Sequence, residues 1–336
     1  MATHGGSQSP APSATPAVAS PPAGLTPNDL VERGLTKSDQ GDLDGAIADY
    51  EQALKLEPNF VRALGNRGNA RRNKRDFDGA IADFSRIIEL DPKSASAYLH
   101  RGLVKRLKGD LAGTIADYER AVELDPKQAY AYNSLADFKR EQGDLDGALA
   151  DYDRAIALDP EWDPFYIARG EARLAKGNLD GAIADFGQAL SLDPESQLAY
   201  IDRGEAKLEK GDYPSAIADF NHLLKLTPKD ANLYIFRGRA EATAGDLEAA
   251  IGDYNHAIEF DPKNETAYNN RGNAKAAKGD LDGAIADYTR AIELEPKYIN
   301  AYKGRSKARE AKQDSDGAAA DLKRANELAN KPADKS

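Results

Sequence analysis

The sequence predicts an all-α fold in which helix pairs stack in a row, an α-solenoid. The prediction comes from a 34-residue period, from helix-breaking residues at fixed places in that period, and from small and aromatic residues spaced for helix packing. Eight prolines recur every 34 residues without insertion, from Pro58 to Pro296. Periods of about 20 to 50 residues are typical of repeat proteins, whose units bury their apolar faces against neighbouring units.

One register of this period accounts for most of the 336 residues. It predicts a solenoid of nine repeats over residues 26–332. We number the residues of each repeat from position 1 to position 34. The segment GDLDGAIADY at residues 41–50 recurs unchanged at residues 279–288, which supports the register. The repeats begin at residues 27, 61, 95, 129, 163, 197, 231, 265 and 299.

Two sets of residues mark the helix ends in each repeat. Position 15 is usually glycine and position 16 is usually Asp, as in Gly109 and Asp110. Glycine adopts the left-handed conformation that ends a helix, and an Asp side chain accepts hydrogen bonds from the first backbone N–H groups of the next helix. Proline at position 32 then ends the second helix. Each repeat is therefore predicted to be two helices joined by a short turn.

The packing positions are conspicuously small or large in every repeat. Position 8 is Gly, Ala or Ser, and position 20 is nearly always Ala. Positions 4 and 24 carry Leu, Tyr or Phe, including Leu322 in the last repeat. Small side chains let two helices approach closely, so the large side chains are predicted to fill the space between the helices.

This pattern of small, aromatic, Ala and Pro positions resembles the tetratricopeptide repeat (TPR) family. The resemblance implies a right-handed superhelix of helix pairs whose first helices line a concave groove for peptides or partner surfaces. It also implies that positions 2, 5, 6, 9, 12 and 13 face the groove. Chaperone-binding members of the family place Lys and Asn at positions 5 and 9 of their clamp. The first repeat here has Val31 and Leu35, so a chaperone-tail receptor is not predicted.

Composition and missing motifs narrow the function. The formal net charge is -11, which argues against nucleic acid or an anionic membrane as the main partner, since both need a positive surface. The sequence has no cysteine, no glycine-rich phosphate loop and no apolar run long enough to insert into a membrane. The repeats leave no room for a catalytic domain, so we expect no enzyme, no metal and no cofactor.

The two ends of the chain differ from the repeats. Residues 1–25 are predicted to be a disordered Pro/Ala/Ser-rich arm, and residues 333–336 a disordered tail. The arm does not have the pattern of an intact signal peptide, and its sequence leaves open both a cytoplasmic location and export after removal of an upstream signal. In the last repeat Ser315, Ala319 and Asn326 stand where repeat 8 has Leu or Ile, which predicts a C-terminal cap.

Charged residues recur at matching positions on the two helices of each repeat. Every repeat has Asp at position 23, and all but the fourth have Arg at position 7. We predict that each Arg binds the Asp of its own repeat as a partly buried bidentate ion pair. In repeat 4 Leu135 replaces the Arg, so Asp151 needs another partner. Position 11 is Lys or Arg except for Glu241, and we expect these charges to reach solvent while their stems cover apolar surface.

The groove positions vary from repeat to repeat and form three zones. The first zone, in repeats 2 and 3, is basic and suits an acidic partner. The last zone, in repeats 8 and 9, offers donors suited to a peptide backbone or a carboxylate. The first zone contains Arg62, Asn66, Asn69, Arg72, His100 and Arg106, and the last contains Asn269, Asn270, Asn273, Lys303 and Lys307.

The middle zone, in repeats 5 to 7, combines apolar and acidic side chains. An apolar stripe with a charged rim is typical of an interaction site. The alternative is that its apolar side chains pack between neighbouring first helices. The zone contains Ile167, Glu171, Ile201, Glu205, Ile235 and Phe236.

The sequence thus predicts a protein-interaction scaffold or adaptor that binds a partner peptide or helix in the groove. A preformed groove loses little conformational entropy on binding, so a modest contact area gives useful affinity. The alternative is a self-assembling structural scaffold, in which the N-terminal arm or the first helix engages another copy. We expect a monomer rather than an oligomer, with no nucleic acid and no membrane insertion among its interactions.

Overall fold

The computed structural model describes residues 24–330, and within them the chain forms eighteen α-helices and no strand. The predictions for the N-terminal arm and the C-terminal tail fall outside the described residues, apart from residues 24 and 25. Odd-numbered helices are the first helices of their repeats and even-numbered helices the second. The helices are α1 (Pro27–Asp39), α2 (Leu43–Leu56), α3 (Val61–Asn73), α4 (Phe77–Leu90), α5 (Ala95–Lys108), α6 (Leu111–Leu124), α7 (Ala129–Glu141), α8 (Leu145–Leu158), α9 (Asp163–Ala175), α10 (Leu179–Leu192), α11 (Gln197–Lys210), α12 (Tyr213–Leu226), α13 (Ala231–Ala244), α14 (Leu247–Phe260), α15 (Glu265–Ala277), α16 (Leu281–Leu294), α17 (Ile299–Ala311) and α18 (Ser315–Ala329).

The chain divides into two compact units, one up to Pro126 and one from Lys127 onward. The first unit contains α1 to α6 and the second contains α7 to α18. Within each unit every helix packs against the helix before it and the helix after it. The predicted all-α solenoid is therefore confirmed. None of the described helices is long and apolar enough to cross a membrane.

The helices begin and end where the sequence predicts. Asp110 is the N-cap of α6, and its side chain accepts a hydrogen bond from the backbone N–H of Gly113 at 2.9 Å. Gly109, which ends α5, has a φ of 87°, in the left-handed region that costs other residues about 1–2 kcal/mol. Arg75 and Gln313 adopt the same region at the equivalent turns, with φ of 63° and 65°. The turn therefore keeps its geometry even where glycine is replaced.

In repeats 1 to 8 the core lies between the two helices, where a small residue faces an aromatic ring. In repeat 6 a Cβ atom added to Gly204 would lie 2.7 Å from the ring of Phe220, too close for two carbon atoms. Phe220 and Ala216 are fully buried beside it. The same contact recurs between Gly34 and Tyr50, Gly68 and Phe84, Gly102 and Tyr118, Gly170 and Phe186, Gly238 and Tyr254, and Gly272 and Tyr288.

The last repeat is more exposed than its neighbours. Ser315, Ala319 and Asn326 are exposed, whereas the Leu and Ile residues at these positions in repeat 8 are half-buried. Leu322 is 49% exposed, so the prediction that it fills the space between the helices is wrong. The reason is that α18 packs against α17 on one side, and no described helix covers the other. The polar substitutions fit such an open face.

Candidate functional site

The predicted ion pairs form a ladder through the repeats that contain the Arg. In repeat 6, Nε and Nη2 of Arg203 donate to the two carboxylate oxygens of Asp219 at 3.0 and 2.7 Å. Asp219 is only 5% exposed, so the pair is bidentate and largely buried, as predicted. The other pairs are Arg33 with Asp49, Arg67 with Asp83, Arg101 with Asp117, Arg169 with Asp185, Arg237 with Asp253, Arg271 with Asp287, and Arg305 with Asp321.

A second cation binds the same carboxylates, so the prediction that position 11 extends to solvent is wrong. Nζ of Lys207 lies 2.7 Å from Oδ2 of Asp219, and the lysine side chain is 14% exposed. A buried carboxylate needs hydrogen bonds to all of its lone pairs, and one Arg does not supply them. The constant spacing of twelve residues between positions 11 and 23 was the sequence signal for this contact.

The ladder arginines also connect neighbouring repeats. Nη1 of Arg237 donates to Oδ1 of Asn221 in the preceding repeat at 2.5 Å. Its guanidinium lies 5.5 Å from the ring centre of Tyr234, a cation–π contact. Each such Arg fixes both the helix pair of its own repeat and the repeat before it. Equivalent Nη1 contacts join Arg101 to Ser85, Arg169 to Asp153, Arg271 to Asn255 and Arg305 to Thr289.

Repeats 4 and 7 depart from this ladder. In repeat 4, Asp151 accepts a hydrogen bond from Lys139 at 2.6 Å, so the position-11 cation is the partner that the sequence left open. In repeat 7 the cation is missing, and Glu241 stands beside Asp253 instead. Burial and the charge of Asp253 raise the pKa of Glu241 to about 7, although Arg237 acts in the opposite direction. Repeat 7 thus contains a group that takes up a proton near neutral pH.

Part of the first zone surrounds a cavity of about 420 Å³ in the first unit. His100 stacks on the ring of Phe84, with the ring centres 5.4 Å apart. The side chains of Asn66 and Asn69 are half-buried and make no hydrogen bond within the described residues. The wall is therefore part apolar and part amide. We call this the first-unit cavity, and its lining includes Leu35, Arg62, Asn66, Asn69, Ile87 and His100.

The arginines predicted for the first zone have different surroundings. Arg62 lines the first-unit cavity and pairs with Glu32 at 2.6 Å. Both side chains of this pair are exposed, and such pairs contribute only about 0–1 kcal/mol, so a ligand carboxylate could replace Glu32 at little cost. Arg72 lies outside the lining, where Nη2 donates to Oδ1 of Asn73 at 3.3 Å. Arg106 is half-buried and also lies outside the lining.

Two of the apolar residues of the middle zone are buried, and the other two are half-buried. Ile167 and Ile235 are 8% and 7% exposed and belong to core clusters formed with neighbouring helices. Ile201 and Phe236 are half-buried, and Phe236 stacks on Phe220 with ring centres 5.7 Å apart. Ile167 and Ile235 therefore pack against neighbouring helices, as the alternative interpretation of this zone expected. They leave little surface for a partner.

The acidic residues of the middle zone are paired across repeats. Arg140 lies 3.0 Å from Glu171, and Arg239 lies 3.0 Å from Glu205. Asp202, a groove-position residue that the sequence interpretation overlooked, is half-buried near both carboxylates. Burial, followed by the charges of Glu171 and Glu205, raises the pKa of Asp202 to about 6. Much of the negative charge in this zone is thus compensated within the protein.

The last zone forms a larger cavity of about 670 Å³ in the second unit, beside α15 and α17. Lys303 and Lys307 lie one turn apart on α17, are exposed, and have no acidic partner within residues 24–330. The described lining of this cavity includes no Asp or Glu. The structure thus brings together all five residues predicted for this zone. We call it the amide–lysine cavity, defined by Asn269, Asn270, Asn273, Asn300, Lys303 and Lys307.

Hydrogen bonds orient the side-chain amides of this cavity. Oδ1 of Asn273 accepts from the Tyr288 hydroxyl at 2.8 Å, and Oδ1 of Asn270 accepts from Nδ2 of Asn269 at 3.3 Å. Burial and the nearby charge of Asp287 raise the pKa of Tyr288 to about 12, so it remains a donor. The Nδ2 groups of Asn270 and Asn273 make no hydrogen bond within the described chain. Asn269 is 4% exposed and orients Asn270.

Comparison with known families and structures gives a consistent result. Models described as tetratricopeptide repeat or TPR repeat match residues 31–128, 117–150, 167–231, 238–279 and 266–298. No curated protein matches the sequence significantly.

Solved structures similar to this chain include a protein of the same repeat family. A tetratricopeptide repeat protein from Parabacteroides merdae ATCC 43184 has a TM-score of 0.50 and 20% identity, over 89% of this chain and 98% of that chain. A chain of the APC/C hetero-tetramer Cut9-Hcn1 has a TM-score of 0.53 and 17% identity, over 84% of this chain and 55% of that chain. MamA is 30% identical over 48% of this chain and 95% of that chain, with a TM-score of 0.44.

Proposed function

Because the chain belongs to the tetratricopeptide repeat family, we propose that it is a protein-interaction scaffold that binds a peptide or helix of a partner at its first helices. The amide–lysine cavity carries this proposal, because its lysines have no acidic partner and the Nδ2 groups of Asn270 and Asn273 make no hydrogen bond in the described chain. The ladder, by contrast, pairs its charges inside the protein. Unpaired donors beside an open cavity favour binding over a structural role.

The arrangement favours binding over catalysis. The helices that carry the cavity residues are held by the ladder, so little ordering entropy is lost when a ligand binds. Within residues 24–330 no three His, Asp or Glu side chains are grouped to hold a metal ion. The TPR fold itself is typically a non-enzymatic scaffold. The proposed activity is therefore recognition at several points along an extended partner.

The test is selection from a random peptide-display library on the full-length protein. Enriched peptides are then measured against Asn270→Asp with Asn273→Asp, against Asn66→Asp with Asn69→Asp, and against the control Lys225→Ala with Lys323→Ala on exposed second-helix positions. We expect at least tenfold weaker binding to one cavity variant and unchanged binding to the control. Failure to enrich any peptide, or equal binding to all variants, would contradict the proposal. A mass that grows with concentration in light scattering would favour self-assembly instead.

A further inference from the structure

Resting on the proposed function, we propose that the amide–lysine cavity binds an extended peptide segment through an acidic side chain within that segment. Lys303 and Lys307 bind the acidic side chain, while Asn270 and Asn273 bind the adjoining backbone. The ligand class is an acidic peptide whose chain continues past the cavity.

The charge of the cavity selects for a carboxylate. Lys303 and Lys307 project from one face of α17 at a spacing of four residues, where like charges repel each other. No carboxylate lines the cavity to relieve this repulsion within the described chain. The protein as a whole carries a formal charge of -11, so a local pair of uncompensated lysines departs from the surroundings. A bound carboxylate removes the repulsion and forms charge-assisted hydrogen bonds.

The amides select for a peptide backbone. The hydrogen bonds from Tyr288 and Asn269 occupy the Oδ1 atoms of Asn273 and Asn270, and this leaves both Nδ2 groups as donors. Asn270 and Asn273 are three residues apart on α15, so they lie on the same face of the helix. Two such donors match two backbone carbonyl oxygens of an extended chain.

The neighbouring surface favours a segment that continues. A second cavity of about 280 Å³ shares Asn270 and Asn273 with the amide–lysine cavity, and Arg239 and Thr243 also line it. A peptide held by these two amides therefore has room on both sides of them. A C-terminal carboxylate would end the chain at the lysines, whereas an acidic side chain within the segment lets the chain extend across the amides into the second cavity and also past the lysines.

Asn269 stands at a position where an apolar residue would stabilise the protein more, so its role there is not explained by stability. Its Oδ1 is shielded from solvent and has no hydrogen-bond partner in residues 24–330, an unfavourable state for an amide oxygen. Repeats 5 to 7 have Ile at this position, and Ile235 packs there in the core. An Asn that weakens packing while it orients Asn270 acts as a positioning residue for the ligand.

The experiment is an NMR titration of the full-length protein, labelled with ¹⁵N, with three capped or uncapped peptides. The first is Gly-Ala-Glu-Ala-Glu-Ala-Gly with both ends blocked, and the second has Gln in place of each Glu. The third is the Gln peptide with a free C-terminal carboxylate. We expect the Glu peptide to shift the side-chain amide signals of Asn270 and Asn273, and to bind at least tenfold more tightly than either Gln peptide.

Variants connect this binding to the cavity. Lys303→Ala with Lys307→Ala should weaken binding of the Glu peptide at least tenfold, whereas Lys225→Ala with Lys323→Ala should leave it unchanged. Asn269→Ile should weaken binding at least threefold and shift the free Asn270 amide signal. Its melting temperature should equal or exceed that of the wild type, which separates a positioning role from a structural one.

Three results would overturn the inference. They are equal binding of the Glu and Gln peptides, unmoved Asn270 and Asn273 signals, or preference for the peptide with the free C-terminus. If display-selected peptides still bind the first-unit cavity in those cases, the proposed function stands and only this inference fails. If the library yields no peptide at all, the proposed function fails as well.

Discussion

The ion-pair ladder and the amide–lysine cavity use the same kinds of side chain in opposite ways. In the ladder Asp219 is 5% exposed and is bound by both Arg203 and Lys207. In the cavity Lys303 and Lys307 are exposed and have no carboxylate partner in the described residues. The ladder also recurs through the repeats, whereas the combination of the two amides with Lys303 and Lys307 in the next repeat occurs only in repeats 8 and 9.

This contrast separates the polar groups that hold the fold from those available to a ligand. A buried charge that loses its partner destabilises the protein, because water cannot replace that partner. An exposed lysine without a partner is already solvated, so its removal changes stability little. Substitutions in the ladder should therefore change stability, and substitutions in the cavity should change binding.

The largest effect is expected for Asp219→Ala. The change leaves Arg203 and Lys207 without their shared carboxylate in a largely buried position, at a cost of about 3–5 kcal/mol. Urea unfolding followed by circular dichroism measures this. Glu209→Ala is the matched control, since Glu209 is an exposed carboxylate in the same repeat, and it should change stability by less than about 0.5 kcal/mol. Equal effects of the two changes would contradict the account.

A smaller loss is expected for Arg203→Ala. Lys207 still pairs with Asp219 at 2.7 Å, so the carboxylate keeps one cation, as Asp151 does in repeat 4. We expect a loss of about 1–3 kcal/mol, below that of Asp219→Ala. The same unfolding experiment ranks the two variants. The role given to Lys207 would be wrong if Arg203→Ala were the more damaging change.

The stability of the protein is expected to depend on pH through Glu241 in repeat 7, where the other repeats have a cation at position 11. The folded state holds the proton of Glu241 up to about pH 7, whereas the unfolded chain releases it near pH 4.5. Stability therefore decreases as pH rises through this window. Glu241→Gln should remove this dependence and stabilise the protein by about 1–2 kcal/mol at pH 8, with no gain at pH 4. Parallel pH profiles of the variant and the wild type would refute this.

The sequence predicted the fold and the Arg–Asp pairs of the ladder, but not the second cation. Helix ends, small positions and the Arg–Asp pair each follow from residue types at a fixed period, which the repeats show many times over. The second cation was missed because a lysine such as Lys207 can either reach solvent or turn inward, and composition alone does not decide which. The constant spacing of twelve residues between Lys207 and Asp219 is the feature that indicates the inward orientation.

The candidate site was less predictable because it depends on side-chain surroundings in single repeats. The groove positions of repeats 8 and 9 gave residues that line one cavity in the structure. The same positions gave Ile167 and Ile235, which are buried because position 5 also faces neighbouring helices. The bond from Tyr288 to Asn273 needs Tyr at position 24 and Asn or Asp at position 9 of the same repeat, a combination found only in repeats 4 and 8.

The most direct test measures stability and peptide binding on the same two variants. Lys303→Ala with Lys307→Ala should change the free energy of unfolding by less than about 0.5 kcal/mol and weaken binding of the Glu peptide at least tenfold. Asp185→Ala, in the ladder of repeat 5, should lower the free energy of unfolding by about 3–5 kcal/mol and, under conditions where the protein remains folded, leave that binding unchanged. The account is contradicted if the double lysine variant loses stability while it still binds the peptide.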